Sequence, residues 1–162
     1  METIEKAIQG ALDAGFDIHL NMMVGFPDQA LQDVEDTFNF ALKYPIRWAT
    51  FNNFVPYLGT EGYETARDQK LFLIEPEEYL NEVNPKSERI IIKTPHITPE
   101  QREYIEKKIP RVQEEIRKRY HVRRLNREYG LVGKVVGRLY HHQIIPAPLF
   151  NWMIKLKNEK AF

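Results

Sequence analysis

Apolar positions recur at helical spacing between residues 3 and 14, where Ile4, Ala7, Ile8, Ala11 and Leu12 line one face and Gly15 supplies a C-terminal stop. The period then changes to two. Over 16–24, Ile18, Leu20, Met22 and Val24 share one face of a predicted strand, and His19, Asn21 and Met23 share the other. Gly25-Phe26-Pro27 turns the chain, and Pro27 bars further ladder pairing. A helix is predicted over 28–43. Leu31, Val34, Phe38 and Ala41 or Leu42 form its stripe, with acids in the first half, where the helix dipole favours them. Tyr44-Pro45 ends it, and residues 48–56, rich in aromatic and β-forming side chains, read as a second strand.

Helix, strand, helix, strand in this order has the length of a parallel crossover unit. Both strands end in Gly/Pro turns at the C-terminal edge of the sheet, where α/β proteins place their ligands. His19, Asn21 and one or both of Asn52 and Asn53 would look into a barrel or crevice. Adjacent strand residues point oppositely, so strict alternation turns only one asparagine of that pair inward. These side chains either contact a ligand or form an interior hydrogen-bond network.

Beyond residue 60 the pattern predicts helices over 61–72 and 76–83 and a short strand over 89–93. Thr98-Pro99-Glu100-Gln101 starts a long helix: Thr98 caps, Pro99 takes the first turn, and Gln101 completes a capping box. That helix is predicted to reach 129 with a kink at Pro110. The pattern leaves 131–162 unassigned.

Composition narrows the classes. The chain has 162 residues, 43% apolar and 12% aromatic, enough for a folded core. No run of 18 apolar residues exists, so no transmembrane span is expected. The acidic, amphipathic N-terminus is no secretory leader, which makes the cytoplasm the expected address. Residues 1–80 hold 5 basic and 14 acidic side chains, and residues 81–162 hold 18 and 9. Such asymmetry points to halves that dock on each other or serve different tasks.

The run RKRYHVRRLNR, 117–127, is a solvated or docking face, and nucleic acid is not the expected partner. The stretch 144–156 reads as core packing, with an interfacial membrane segment as the alternative. His141-His142, His96 and His121 lack metal-ligand spacing, so no metal site is expected. No Ser–His–Asp order, Walker loop or G-x-G-x-x-G is present. There is no cysteine, which removes disulfides, thiolate metal sites and Cys nucleophiles.

The segments AIQGALDAGFDIHLNMMVGFP, DVEDTFNFAL and FVPYLGTEGYE, in this order and spacing, resemble the C-terminal half of a radical S-adenosylmethionine (SAM) enzyme barrel. The PYLGTEGYE ending and the basic C-terminal extension look most like the cobalamin-binding branch, which includes the anaerobic Mg-protoporphyrin ester cyclase. The likeness covers residues 4–63 well. It departs at Asp28-Gln29-Ala30, where the family has Gly-Glu-Thr, and at Leu58-Gly59-Thr60, where it has Pro-Gly-Thr. The family's C-x-x-x-C-x-x-C cluster loop is missing.

The resemblance implies an α/β fold. Residues 1–66 would close a partial parallel (βα) barrel, and 67–162 would be a mostly helical extension. It implies SAM cleavage at a 4Fe–4S cluster, followed by radical chemistry on an organic substrate, with cobalamin as a possible second cofactor. A chain without cysteine would be silent alone. By matching position, Gly25, Phe26 and Pro27 line the cofactor side, with Asn52, Asn53 and Val55 beside the adenosine, and His19 and Asn21 are substrate-facing candidates. No catalytic residue is assigned. The expected partner is a missing N-terminal barrel half, or a second copy joined through an open sheet edge. The alternative is a cysteine-free binding or scaffold module that docks a partner through its basic helix.

Overall fold

A computed structural model describes residues 2–81, 89–142, 144–146 and 148–149. The elements are α1 (Glu2–Asp13), β1 (His19–Val24), α2 (Leu31–Lys43), β2 (Trp48–Asn53), α3 (Glu61–Asp68), α4 (Pro76–Leu80) and α5 (Pro99–His141). The chain is α/β, with a two-stranded parallel sheet and a mostly helical C-terminal region. The register runs from His19 opposite Trp48 to Val24 opposite Asn53.

The alternation in β1 decides which face is covered. Leu20, Met22 and Val24 are at least partly buried, whereas His19, Asn21 and Met23 are exposed. Helices cover the first face. Ile8 and Leu12 of α1, Val34, Phe38 and Ala41 of α2, Ala49 of β2, and Ile105, Val112 and Ile116 of α5 form one core. The extension therefore shares its core with the strand–helix–strand unit. Lys108 of α5 also pairs with Glu35 of α2 at 2.5 Å, with its ammonium 5.7 Å from the Phe38 ring centroid. Gln113 Nε2 donates to the Ala49 carbonyl at 3.0 Å, so α5 engages the outer edge of β2 near its start.

The outer edge of β1 is open among the described residues. Trp48 N–H donates to Ile18 O and Phe54 N–H to Val24 O. The even-numbered residues of β1 thus face β2, and the main-chain groups of His19, Asn21 and Met23 point away.

A second cluster sits beyond the strand tips. Ala66, Leu71, Tyr79, Ile91 and Ile92 pack with Phe54 and Val55, and the buried Tyr79 hydroxyl donates to Pro56 O at 2.5 Å. Burial pushes the Tyr79 phenol up to about 12. The segment 89–93 is not a strand. Among the described residues its pairing is an antiparallel bridge between Phe72 and Ile92.

The Thr98 capping box forms as the sequence predicts. Thr98 Oγ1 accepts from Gln101 N–H at 3.3 Å, and Gln101 Oε1 accepts from Thr98 N–H at 2.9 Å. The break in α5 comes elsewhere than expected. Backbone dihedrals stay helical through Pro110 and leave that region at Gly130 (φ 56°, ψ −129°). There the helix reverses, and residues 131–141 fold back on the first arm. A Cβ on Gly133 would run into the Leu125 carbonyl, and one on Gly137 would lie 3.2 Å from Val122. These two glycines let the arms touch.

The basic run faces inward in part. Arg119, Arg123 and Arg127, spaced by four on one face of α5, donate to the carbonyls of Leu42, Leu12 and Gly15. They cap the C-terminal ends of α2 and α1, where the dipole favours a cation. No described helix is long and apolar enough to cross a membrane. Most of 144–156 lies outside the described residues.

Candidate functional site

A cleft of about 900 Å³ opens where β1 and β2 end. Parallel pairing brings Val24 and Asn53 side by side, so the loops after the two strands leave the sheet together. The Phe26–Asp28 loop forms one wall, and the first two turns of α3, with Glu61 and Thr65, form the other. The Phe26 and Phe54 rings meet across the strand ends with centroids 4.7 Å apart and planes tilted by 32°. Phe54 lies over Gly62, where a Cβ would collide with its ring. Gly62 thereby fixes how close α3 comes to the sheet. Thr60 caps α3 by accepting from Tyr63 N–H at 3.2 Å.

The floor is the exposed face of the sheet. Asn21 stands opposite Thr50, whose hydroxyl donates to Asn21 Oδ1 at 2.6 Å, and Met23 stands opposite Asn52. The cleft thus combines an aromatic pair, three amide side chains and two carboxylates, Asp28 and Glu61. Amides offer donors and acceptors together, and carboxylates accept hydroxyls or balance a cation.

Of the residues singled out in the sequence, Asn21, Phe26, Pro27, Asn52, Asn53 and Val55 line this one cleft. Both asparagines of the 52–53 pair take part. Asn53 is the last residue of its strand, so it stands at the mouth where alternation no longer turns it from the opening. His19 is exposed at the opposite end of β1 and does not line the cleft.

Gly25 also lies outside it. Its φ of +88° demands glycine, but a Cβ there would meet only Arg102 and Thr94, at 3.8 and 3.9 Å. Its N–H donates to Gln29 Oε1 at 2.5 Å, and Ala30 N–H donates to Asp33 Oδ2 at 2.8 Å. The Asp28-Gln29-Ala30 turn therefore closes on itself and engages two main-chain donors that a free strand tip would offer.

Pattern reasoning missed Met23, Glu61 and Thr65 as cleft residues. It also missed Arg102, half-buried behind Gly25, whose guanidinium donates to Thr94 Oγ1 at 2.5 Å. Burial lowers its pKa by disfavouring the charged form. Among the described residues no group of three His, Cys, Asp or Glu side chains stands close enough to hold a metal ion.

Comparison with known proteins gives one informative likeness. The chain is 33% identical over 110 residues to an uncharacterized methyltransferase of Pyrococcus horikoshii, an alignment covering 62% of this chain and 23% of the relative. The chain thus spans about a quarter of the length of that protein. No family model matches, and no solved structure matches.

Proposed function

We propose that the chain is the closing portion of a radical SAM barrel and that the cleft at its strand ends receives the adenosyl part of SAM. The observation that carries this reading is the gathering of Phe26, Pro27, Asn52, Asn53 and Val55 around one cleft at the C-terminal edge of a parallel sheet. The similarity to a methyltransferase supports SAM-related chemistry.

The residues present suit SAM. Phe26 and Phe54 give an adenine ring an apolar wall, and Asn52 or Asn53 can hydrogen-bond its edge. Asp28 and Glu61 are acceptors for ribose hydroxyls and counter-charges for a sulfonium. The residues present do not suit a 4Fe–4S cluster: the chain has no cysteine to ligate one. No residue of the chain is assigned to cobalamin. In this reading bound SAM would supply radical chemistry on an organic substrate after one-electron reduction by a 4Fe–4S cluster whose ligands come from outside these 162 residues.

The open edge of β1 and the exposed face beneath it fit the same reading, since a further strand there would continue the barrel wall. The rival reading, a module docking through its basic helix, loses part of its surface because Arg119, Arg123 and Arg127 are turned onto helix ends.

The test is equilibrium dialysis of labelled SAM against the full chain and its Met23→Trp variant. Met23 is 50% exposed on the cleft floor, so an indole there fills the cleft without disturbing the core. The expected result is saturable binding to the wild type and loss in the variant. Equal binding by both, or by neither, overturns the assignment.

A further inference from the structure

A second cleft lies at the other end of the sheet. The C-terminus of α2 sits beside the start of β2, away from the tips at Val24 and Asn53. The hairpin of α5 folds back next to it, leaving a cavity of about 420 Å³. Lys43 of α2, Arg119 and Arg123 of the first arm, and Arg138 and His141 of the second arm all line it. Among the described residues no carboxylate does.

The charges there are only partly balanced. Lys43 pairs with Glu5 at 2.8 Å and Arg119 with Glu115 at 2.8 Å, both acids lying outside the lining. Arg123 has no carboxylate partner among the described residues, and its bond to the Leu12 carbonyl uses one nitrogen of its fork. The Arg138 side chain has no hydrogen-bond or ion-pair partner among the described residues. Two guanidinium groups from two arms of a hairpin thus converge on one space without a counter-charge among the described residues. Such convergence is unfavourable when empty and favourable around an anion, and the planar fork of arginine matches phosphate oxygens in pairs. Asn126 adds an amide donor, and Val122 with Leu42 gives an apolar wall for whatever carries the anion.

We propose that this cleft binds the phosphate or diphosphate group of a small organic molecule. The assignment is independent of the SAM cleft, which lies at the opposite end of the strands.

The experiment is isothermal titration of the full chain with inorganic pyrophosphate at low salt, in wild type, Arg138→Gln and Arg117→Gln. Arg138 is exposed and holds no other group among the described residues, so its replacement is expected to leave the fold intact, which an unchanged melting temperature confirms. Arg117 lies outside the cavity, paired with Glu114, and controls for general attraction to a basic helix. The expected result is binding by the wild type, at least about tenfold weaker in Arg138→Gln and unchanged in Arg117→Gln, as befits loss of a charge-assisted contact. No binding by the wild type, full binding by Arg138→Gln, or equal losses in both variants would overturn the proposal.

Discussion

Arg123 of α5 donates from Nη2 to the main-chain oxygen of Leu12 at 2.5 Å, joining residues 111 positions apart. Leu12 lies in the last turn of α1, where carbonyls lack intrahelical donors. With Arg119 on Leu42 and Arg127 on Gly15, the basic half of the chain holds helix-end carbonyls of the acidic half, beside the core the two share. Arg123→Met is therefore expected to destabilise the protein by about 1–3 kcal/mol, the range for a charged hydrogen bond to a partly buried carbonyl. Arg117→Met, removing an exposed pair with Glu114, should change stability by under about 0.5 kcal/mol. Urea unfolding of the two variants separates them.

Tyr79 ties α4 to the end of β2 through its bond to Pro56 O. Tyr79→Phe keeps the packing but strands a buried carbonyl, and should cost about 1–3 kcal/mol. Its phenol is raised by burial to about 12, above the ordinary 10. The folded state therefore holds that proton more tightly than the unfolded chain. The Tyr79 contribution is full below pH 10 and falls as pH rises from 10 towards 12. Thermal melts from pH 8 to 11 should show a steeper alkaline decline in the wild type than in Tyr79→Phe.

Gly133 is the tightest point of the α5 hairpin. Gly133→Leu forces the arms apart and should cost about 1–3 kcal/mol, as overpacking does. Burial raises the Tyr140 phenol, and the same substitution should return its titration towards the ordinary value. Ultraviolet titration of the phenols reads that change.

The outward amides of β1 offer a template for another strand. The wild-type chain alone is expected to self-associate. Met23→Pro removes one outward N–H while sparing the pairing with β2, and should shift the chain towards monomer. Sedimentation velocity across a concentration series measures the shift.

Chemical reconstitution with iron and sulfide should leave the isolated chain unable to cleave SAM, because it has no thiolate to hold a cluster. Assay of 5′-deoxyadenosine after reduction checks this.

The parallel strand pair was legible because its period of two is clean: Leu20, Met22 and Val24 alternate with His19, Asn21 and Met23. The start of α5 was legible because its cap is local chemistry, held between Thr98 and Gln101. The α2 boundary was misplaced by three residues because Asp28 and Gln29 form a turn, with Gln29 N–H bonded to Phe26 O. The break in α5 was not legible at Gly130, because Pro110 carries the stronger local signal for a kink, although the spacing of Gly133 and Gly137 suits a close helix contact. The far wall of the cleft was not legible, since α3 is placed by Phe54 lying on Gly62, a tertiary contact without local signature. The capping role of Arg119, Arg123 and Arg127 was hidden for the same reason: their acceptors are carbonyls, which every residue has.

The most direct test of the central claim is amide-resolved NMR of the full chain titrated with S-adenosylhomocysteine, which lacks the reactive sulfonium but keeps the adenosyl group. The account predicts saturable shifts clustered at Phe26, Asn52, Phe54 and Val55, with residues around Arg138 unmoved. Absence of shifts at millimolar ligand, or shifts clustered away from the strand tips, would contradict it.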